Sequence, residues 1–166
     1  QVVVQSTDFR FLIDPEAHGR ADDLQDDKGG DGAINDGGGN AFDLDQNLLV
    51  VNTLNHRVEK FTKNGKHISG FGVHGDGPGE LDMPWGITVD NNGDVYVADW
   101  NNHRVQKDSP EGSHLLTFGH GGPGPSTLRH PSGVAVDGDG DVYVVDWMNE
   151  RVAIYNAQAK PLAYLR

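Results

Sequence analysis

Cysteine is absent from the 166-residue chain. This absence excludes a disulfide framework, a thiolate metal site and a thiol nucleophile. Long apolar runs are also missing, because no segment approaches the ~18–20 consecutive apolar residues of a membrane-spanning helix. Basic residues are scarce: 13 lysines and arginines face 25 acidic residues, for a formal net charge of -12. That charge argues against a nucleic-acid-binding surface, which needs a basic face, and it permits cationic partners.

Glycine and proline are frequent and together take 31 of the 166 positions. A chain with so many turn-forming residues folds as short elements joined by tight turns, which favours an all-β domain. The sequence starts at Gln1 without a basic-then-apolar leader. We therefore expect either a processed protein or a piece of a longer one. The compartment stays open, with a secreted or extracytoplasmic location slightly favoured.

An internal repeat of 47 residues organises the sequence. Between Pro84 and Val105, 14 of 22 residues are identical to the residues 47 positions later. The same offset reaches back through Asn55–Val58 to Val2–Val4, so the chain holds about 3.5 units. We place the units at approximately 1–36 (partial), 37–83, 84–130 and 131–166.

Each unit predicts four short antiparallel strands. In the third unit we expect strands at 86–90, 95–98, 104–107 and 114–118, separated by turns such as Asn91–Asp94. Four strands in 40-odd residues is the period of a propeller blade. A helical repeat would need apolar residues at a spacing of about 3.6, which these turns interrupt.

The repeat resembles the NHL-repeat family of β-propellers through the pattern P-x-G-x-x-V-D-x-x-G-x-V-Y-V-x-D-x-x-N-x-R-V, followed by F-G and a glycine-rich connector. The pattern is strong in the last two units, fair from Asn52 to Phe71 and weak before Gly37. The resemblance implies an incomplete ring of three full blades plus three strands of a fourth. The end blades would then expose apolar faces. We expect either completion by a second copy, membership of a larger ring or a tight four-bladed closure, and favour the first two.

Two features of the sequence are interpreted as structural rather than chemical. Asp99, Asn102 and Arg104 recur as Asp146, Asn149 and Arg151 and, with asparagine for aspartate, as Asn52, Asn55 and Arg57. A catalytic set occurs once, so we expect these residues to clamp turns. Asp137–Asp141 resembles a calcium loop but lacks the glycine and glutamate of an EF-hand, and the previous unit has an ordinary turn there. The acidic, glycine-rich connector from Asp14 to Asn40 is expected to be the most mobile part of the chain, and Asp22–Asp36 within it to be a solvated loop rather than a weak cation site.

Histidines are candidate metal ligands. His56, His103 and Glu150 take equivalent places in successive units, which should lie about 10 Å apart, too far to share one ion. His74, His120 and His130 lie on connectors without ligand spacing. We therefore predict no metal site and no cofactor. Motifs for nucleophilic catalysis or phosphate binding are also absent from the sequence.

The three tryptophans supply the candidate binding surface. Trp100 and Trp147 recur at the turn between the second and third strands, while Trp85 is unique to its unit. In a propeller this turn and the connector between blades share one face, where aromatic and polar side chains suit recognition of a protein or glycan. The alternative is that Trp100 and Trp147 each cover their own turn. The predicted surface contains Trp85, Trp100, Asn101, His103, Trp147, Met148 and Glu150.

The sequence favours a non-enzymatic scaffold that binds a protein or glycan partner on this face. One alternative is a fragment of a propeller enzyme, since the resemblance includes lyases and lactone hydrolases with an axial metal. The visible inner strands oppose it, because they carry Ile87, Thr88, Val134 and Ala135 rather than ligands. Another alternative is a self-assembly module that closes a ring by oligomerisation. We expect neither a nucleic-acid nor a membrane partner.

Overall fold

The fold is all-β. A computed structural model describes residues 34–120, 124 and 126–166. In these ranges the chain forms three four-stranded antiparallel sheets and no α-helix. The described residues accordingly include no helix with the length and apolar character to cross a membrane. The partial blade predicted over 1–36 falls almost wholly outside the described ranges.

Each sheet is a meander whose strands pair in chain order. Blade 1 consists of β1 (Gly37–Phe42), β2 (Leu48–Asn52), β3 (Arg57–Phe61) and β4 (His67–Phe71). Blade 2 consists of β5 (Pro84–Val89), β6 (Val95–Asp99), β7 (Arg104–Asp108) and β8 (His114–Phe118). Blade 3 consists of β9 (Pro131–Val136), β10 (Val142–Asp146), β11 (Arg151–Tyr155) and β12 (Pro161–Leu165). Short 3₁₀ turns at Thr53–Asn55 and Trp147–Asn149 join the second and third strands of blades 1 and 3.

The strands of blade 2 agree with the sequence prediction to within one or two residues, and the all-β blade architecture is confirmed. One expectation is wrong at its edge. The acidic, glycine-rich connector was expected to extend as far as Asn40, yet Gly37–Asn40 belongs to β1. This segment pairs with β2, and Gly38 and Gly39 lie against the backbone of Trp85. The part of that stretch before residue 34 lies outside the described residues.

The turn between the first and second strands is built the same way in all three blades. A leading aspartate accepts two backbone N–H groups: Asp43 from Asp45 and Asn47, Asp90 from Asn92 and Asp94, and Asp137 from Asp139 and Asp141, all at 2.8–3.0 Å. Position four of each turn has a positive φ, at Gln46, Gly93 and Gly140. These hydrogen bonds support the interpretation of Asp137–Asp141 as an ordinary Asx turn rather than a calcium loop.

Glycines let the innermost strands of adjacent blades approach closely. Strand β1 packs beside β5, and β5 beside β9. A Cβ on Gly86 would lie 2.8 Å from the Cα of Gly133, and one on Gly39 would lie 3.3 Å from the Cα of Gly86. The glycine of the P-x-G pattern is therefore the contact point between blades, and a larger residue there would push two backbones apart.

Apolar side chains fill the two spaces between the three blades. The cluster between blades 1 and 2 contains Leu49, Val51, Val58, Leu81, Ile87, Val95 and Val97. The cluster between blades 2 and 3 contains Tyr96, Val105, Phe118, Leu128, Val142, Val144, Ala153 and Tyr155. Strand β6 contributes Val95 and Val97 to one cluster and Tyr96 to the other, as expected of a strand covered on both faces.

The outer face of blade 3 has no covering sheet among the described residues. Val145 is 43% exposed, whereas its equivalent in blade 2, Ala98, is fully buried. Likewise Leu165 is 58% exposed, while its equivalent Phe118 is 6% exposed beneath blade 3. Blade 3 therefore exposes an apolar face whose equivalent on blade 2 is covered by blade 3.

Candidate functional site

The recurring Asp-Asn-Arg set holds the connectors in place. Asp99 is fully buried and accepts hydrogen bonds from Arg104 Nε at 2.7 Å and Asn102 Nδ2 at 2.9 Å. Its other oxygen accepts the backbone N–H of Asp82 at 2.7 Å. Burial raises the pKa of Asp99 while these donors oppose the rise, so the carboxylate depends on them to stay charged.

The arginine of this set reaches onward to the connector between blades 1 and 2. Arg104 donates to the carbonyls of Asp76 (2.5 Å), Gly77 (2.9 Å) and Glu80 (2.8 Å). Arg151 pairs with Asp146 at 2.7 Å and donates to a carbonyl of the next connector. The carboxylates of Asp99 and Asp146 are both bonded to arginine, asparagine and backbone donors of the fold, which supports the prediction of a clamp rather than a catalytic set.

Blade 1 balances the charge of its arginine differently. Asn52 stands where Asp99 stands in blade 2, and it accepts a backbone N–H from Asn35 at 2.8 Å. Arg57 instead pairs with Glu59 at 2.6 Å, and Glu59 aligns with Gln106 of blade 2. Glu59 also contacts His67 Nε2 at 2.9 Å. In blades 1 and 2 the arginine has a buried carboxylate partner. That partner lies on the third strand in blade 1 and on the second strand in blade 2.

Blade 2 also buries a carboxylate at a position where blades 1 and 3 have an aromatic residue. Asp108 is 2% exposed and takes the position of the aromatic residues Phe61 and Tyr155. Burial raises the pKa of Asp108 to about 6, opposed by His114, whose Nδ1 lies 3.5 Å from its Oδ1. That oxygen has no hydrogen-bond partner. Burying this charge at neutral pH therefore opposes folding.

The three tryptophans lie side by side. The rings of Trp85 and Trp100 have centroids 5.9 Å apart and planes inclined by 17°, and those of Trp100 and Trp147 are 6.3 Å apart at 32°. Trp85 and Trp147 are about half exposed, at 46% and 57%. We call this set the tryptophan row. It crosses the boundary between blades 2 and 3, so each tryptophan does more than cover its own turn.

The row forms because β5 and β6 pair at that end of the blade. Pro84 pairs with Asp99, so Trp85 near the start of β5 and Trp100 just after β6 lie at the same end of blade 2. The turn and the connector are joined by the hydrogen bonds Asn101 N–H to Asp82 O and Met148 N–H to Arg129 O, both 3.1 Å. The turns between second and third strands and the connectors thus share one surface, which we call the connector face.

Two histidines adjoin the row, one in contact with Trp100 and the other behind it. His130 packs on Trp100 with centroids 4.1 Å apart and on His103 at 4.3 Å. His103 Nδ1 accepts the backbone N–H of His130 at 3.1 Å. Burial lowers the pKa of His103, as do the charges of His130 and Arg129, which keeps the ring neutral and able to accept that hydrogen bond.

The predicted surface residues therefore meet to different degrees. The rings of Trp85 and Trp100 stack, that of Trp147 is tilted against Trp100, and His103 joins them through His130. Asn101, Met148 and Glu150 belong to the same two turns, and all three are exposed. His130 was not predicted, since it aligns with Met83 in the preceding unit and only the contact between blades reveals its place.

A second group of polar side chains lies on the connector face between blades 1 and 2. One ligand atom from each of His56, His74 and Asp82 lies within 4.8 Å of the others. His56 Nδ1 is 3.3 Å, and His74 Nε2 is 3.6 Å, from Asp82 Oδ1. We call this group the histidine corner. The spacing of 18 and 8 residues between its members follows no recognised motif, which is why the sequence did not indicate it.

Solved structures with the same fold place the chain among the β-propellers. A catalytically inactive virginiamycin B lyase from Staphylococcus aureus bound to quinupristin has a TM-score of 0.59 and 16% identity, over 75% of this chain and 39% of that one. A streptogramin B lyase has a TM-score of 0.61 and 16% identity, over 78% and 40%. A gluconolactonase from Xanthomonas campestris has a TM-score of 0.60 and 15% identity, over 78% and 47%. The chain thus spans less than half the length of these propellers.

The repeats themselves identify the kind of propeller. The NHL repeat family model matches residues 81–107 and 128–155. The chain therefore carries NHL repeats in blades 2 and 3, which confirms the resemblance drawn from the P-x-G and N-x-R-V patterns. No curated protein sequence matches the chain. At 15–16% identity the solved structures establish the propeller fold alone.

Proposed function

We propose that this propeller segment is a non-enzymatic binding module whose tryptophan row binds a protein partner carrying arginine or lysine. The observation that carries the proposal is the contact of three tryptophan rings from two blades, with centroids 5.9 and 6.3 Å apart and the terminal rings half exposed. Half-exposed indoles supply large rigid contact areas, and their faces attract cations.

Charge favours a basic partner. The net charge of -12 attracts cationic segments over a distance, and Asp82 and Glu150 lie on the same face as the tryptophans. The inner strands support a binding role rather than catalysis. Their sequences, GGGNAF, PWGITV and PSGVAV, contain no histidine and no carboxylate that could act at the axis.

A fluorescence titration with a hexa-arginine peptide tests this function. The three tryptophans are the only ones in the chain, so their emission reports directly on the row. Trp85→Ala and Trp147→Ala should each weaken the affinity about three- to fivefold, as expected for an exposed cation–aromatic contact. Phe42→Ala is the matched control, since Phe42 is 55% exposed at the opposite end of the first strand and its removal keeps the net charge.

The proposal fails if the tryptophan variants bind the peptide as the wild type does, because binding would then reflect net charge alone. Saturable binding of chitohexaose, an uncharged glycan, with no response to the peptide would replace the basic partner by a carbohydrate. Both probes should be titrated at two salt concentrations, since screening weakens the long-range attraction more than the ring contacts.

We further propose that another blade covers the outer face of blade 3. Support comes from the register, because Val145, Val152 and Leu165 align with Ala98, Val105 and Phe118, which blade 3 buries. The covering blade would come from a second copy or from the remainder of a longer ring. Light scattering distinguishes these arrangements: a dimer of the 18.0 kDa chain supports the first, and a stable monomer removes self-association.

A further inference from the structure

The histidine corner has the ligand set and spacing of a metal site. Zinc is bound at about 2.0–2.2 Å by imidazole nitrogen and carboxylate oxygen, so two donors of one tetrahedral ion lie about 3.3–3.6 Å apart. The separations of Asp82 Oδ1 from His56 Nδ1 and His74 Nε2 are 3.3 and 3.6 Å. Two of the three donor pairs therefore stand at the distance that a bound ion requires.

Surrounding contacts hold the backbone at Asp82 and His74 and the ring of His56. The backbone N–H of Asp82 is bonded to the buried Asp99, and that of Met83 donates to His56 Nδ1 at 3.1 Å. His74 forms a bridge with Leu81, whose side chain is buried in the core. The backbone that carries the donors is thus ordered, whereas the exposed His74 side chain would still lose conformational freedom on binding an ion.

The equivalent corner between blades 2 and 3 provides an internal comparison. His103 aligns with His56 and accepts the same backbone hydrogen bond, from His130, at 3.1 Å. Arg129 stands where Asp82 stands, so a cation replaces the carboxylate. The hydrogen bond to the corner histidine is therefore a feature of the repeat, whereas the carboxylate and His74 distinguish the first corner from the second.

We propose that His56, His74 and Asp82 form a zinc-binding site on the connector face. Two imidazoles and one carboxylate suit zinc rather than calcium or magnesium, which prefer oxygen ligands. Coordination through His56 Nδ1 would replace its hydrogen bond from Met83. Three protein ligands leave at least one coordination position open to water or to a group of a partner, and Trp85 follows only three residues after Asp82.

Isothermal titration with zinc chloride, on the full chain freed of metal by chelation, tests the site. We expect saturation at about one zinc per chain in the presence of excess magnesium, which occupies general acidic sites. His74→Ala and Asp82→Asn should each weaken zinc binding by about tenfold or more. His120→Ala, another exposed connector histidine, should bind zinc as the wild type does.

Histidine nitrogen NMR provides a second measurement that does not depend on a variant. Zinc should shift the ring nitrogens of His56 and His74 and leave those of His67, which contacts Glu59, unchanged. Equal zinc binding by wild type and His74→Ala, loss of binding in excess magnesium, or shifts confined to other histidines would each overturn the proposal. Peptide binding by the tryptophan row is measured without zinc, so the two proposals can fail separately.

Discussion

Replacing Asp99 by asparagine should destabilise the fold strongly, because it leaves a buried arginine without its charge partner. Arg104 is 5% exposed, and its remaining contacts are the neutral carbonyls of the connector. Breaking a buried ion pair by removing one partner costs about 3–5 kcal/mol. For a domain of this size that corresponds to a fall in Tm of about 6–20 °C. Asp45→Asn, at an exposed turn position, should change stability by less than about 0.5 kcal/mol.

The arrangement in blade 1 supplies a compensating change. Gln106→Glu in the Asp99→Asn background recreates the pair of Asn52 and Glu59, so the second substitution should be less harmful there than in the wild type. We expect a favourable coupling of about 1–3 kcal/mol in a double-mutant cycle measured by urea unfolding. An Asp99→Asn loss below about 1 kcal/mol, or additive effects of the two substitutions, would refute a requirement for one carboxylate beside each arginine.

Three further predictions concern pH, packing and assembly. Because burial raises the pKa of Asp108 to about 6, its protonated form adds stability that is complete below about pH 4 and lost as the pH rises through 6. Asp108→Asn should therefore be more stable than the wild type by up to about 3 kcal/mol at pH 7.5 and by little at pH 4. Equal pH profiles of the two proteins in urea unfolding would contradict this. Gly86→Ala should lower the free energy of unfolding by about 1–3 kcal/mol through overpacking. Gly138→Ala, with open space around it, should lower it far less. Similar thermal melts of the two variants would argue against close contact of the inner strands. Val145→Asp should abolish any dimer seen by light scattering, since the charge would enter the face that a further blade covers. A chain that is already a monomer should stay one. A dimer that persists would locate the interface elsewhere.

The repeat made most of the fold predictable. Identity at an offset of 47 located the turns and strands of blade 2, because a blade is one local meander whose register is set by its turns and by alternating apolar residues. The first strand of blade 1 was harder to locate. Its sequence, GGGNAF, has the composition of a loop, yet it pairs with β2 and packs against Trp85 and Gly86.

The candidate sites depend on contacts between blades, which sequence spacing describes poorly. The tryptophan row could be predicted as a surface because Trp100 and Trp147 are exact repeats, while its stacking and the place of His130 could not. The histidine corner arises where the repeat is broken: Asp82 aligns with Arg129 rather than with another carboxylate. The histidine corner is thus marked by a departure from the repeat, whereas two of the three tryptophans of the row are repeated residues.

The most direct measurement of the connector-face assignment is a ¹H–¹⁵N spectrum of the three indole N–H groups during titration with the hexa-arginine peptide. All three tryptophans of the chain belong to the row, so every indole signal reports on it. We predict saturable shifts of the Trp85 and Trp147 signals, with backbone signals at the opposite turn near Gln46 unchanged. Unmoved indole signals, or shifts spread evenly over the acidic surface, would contradict a binding site on the tryptophan row.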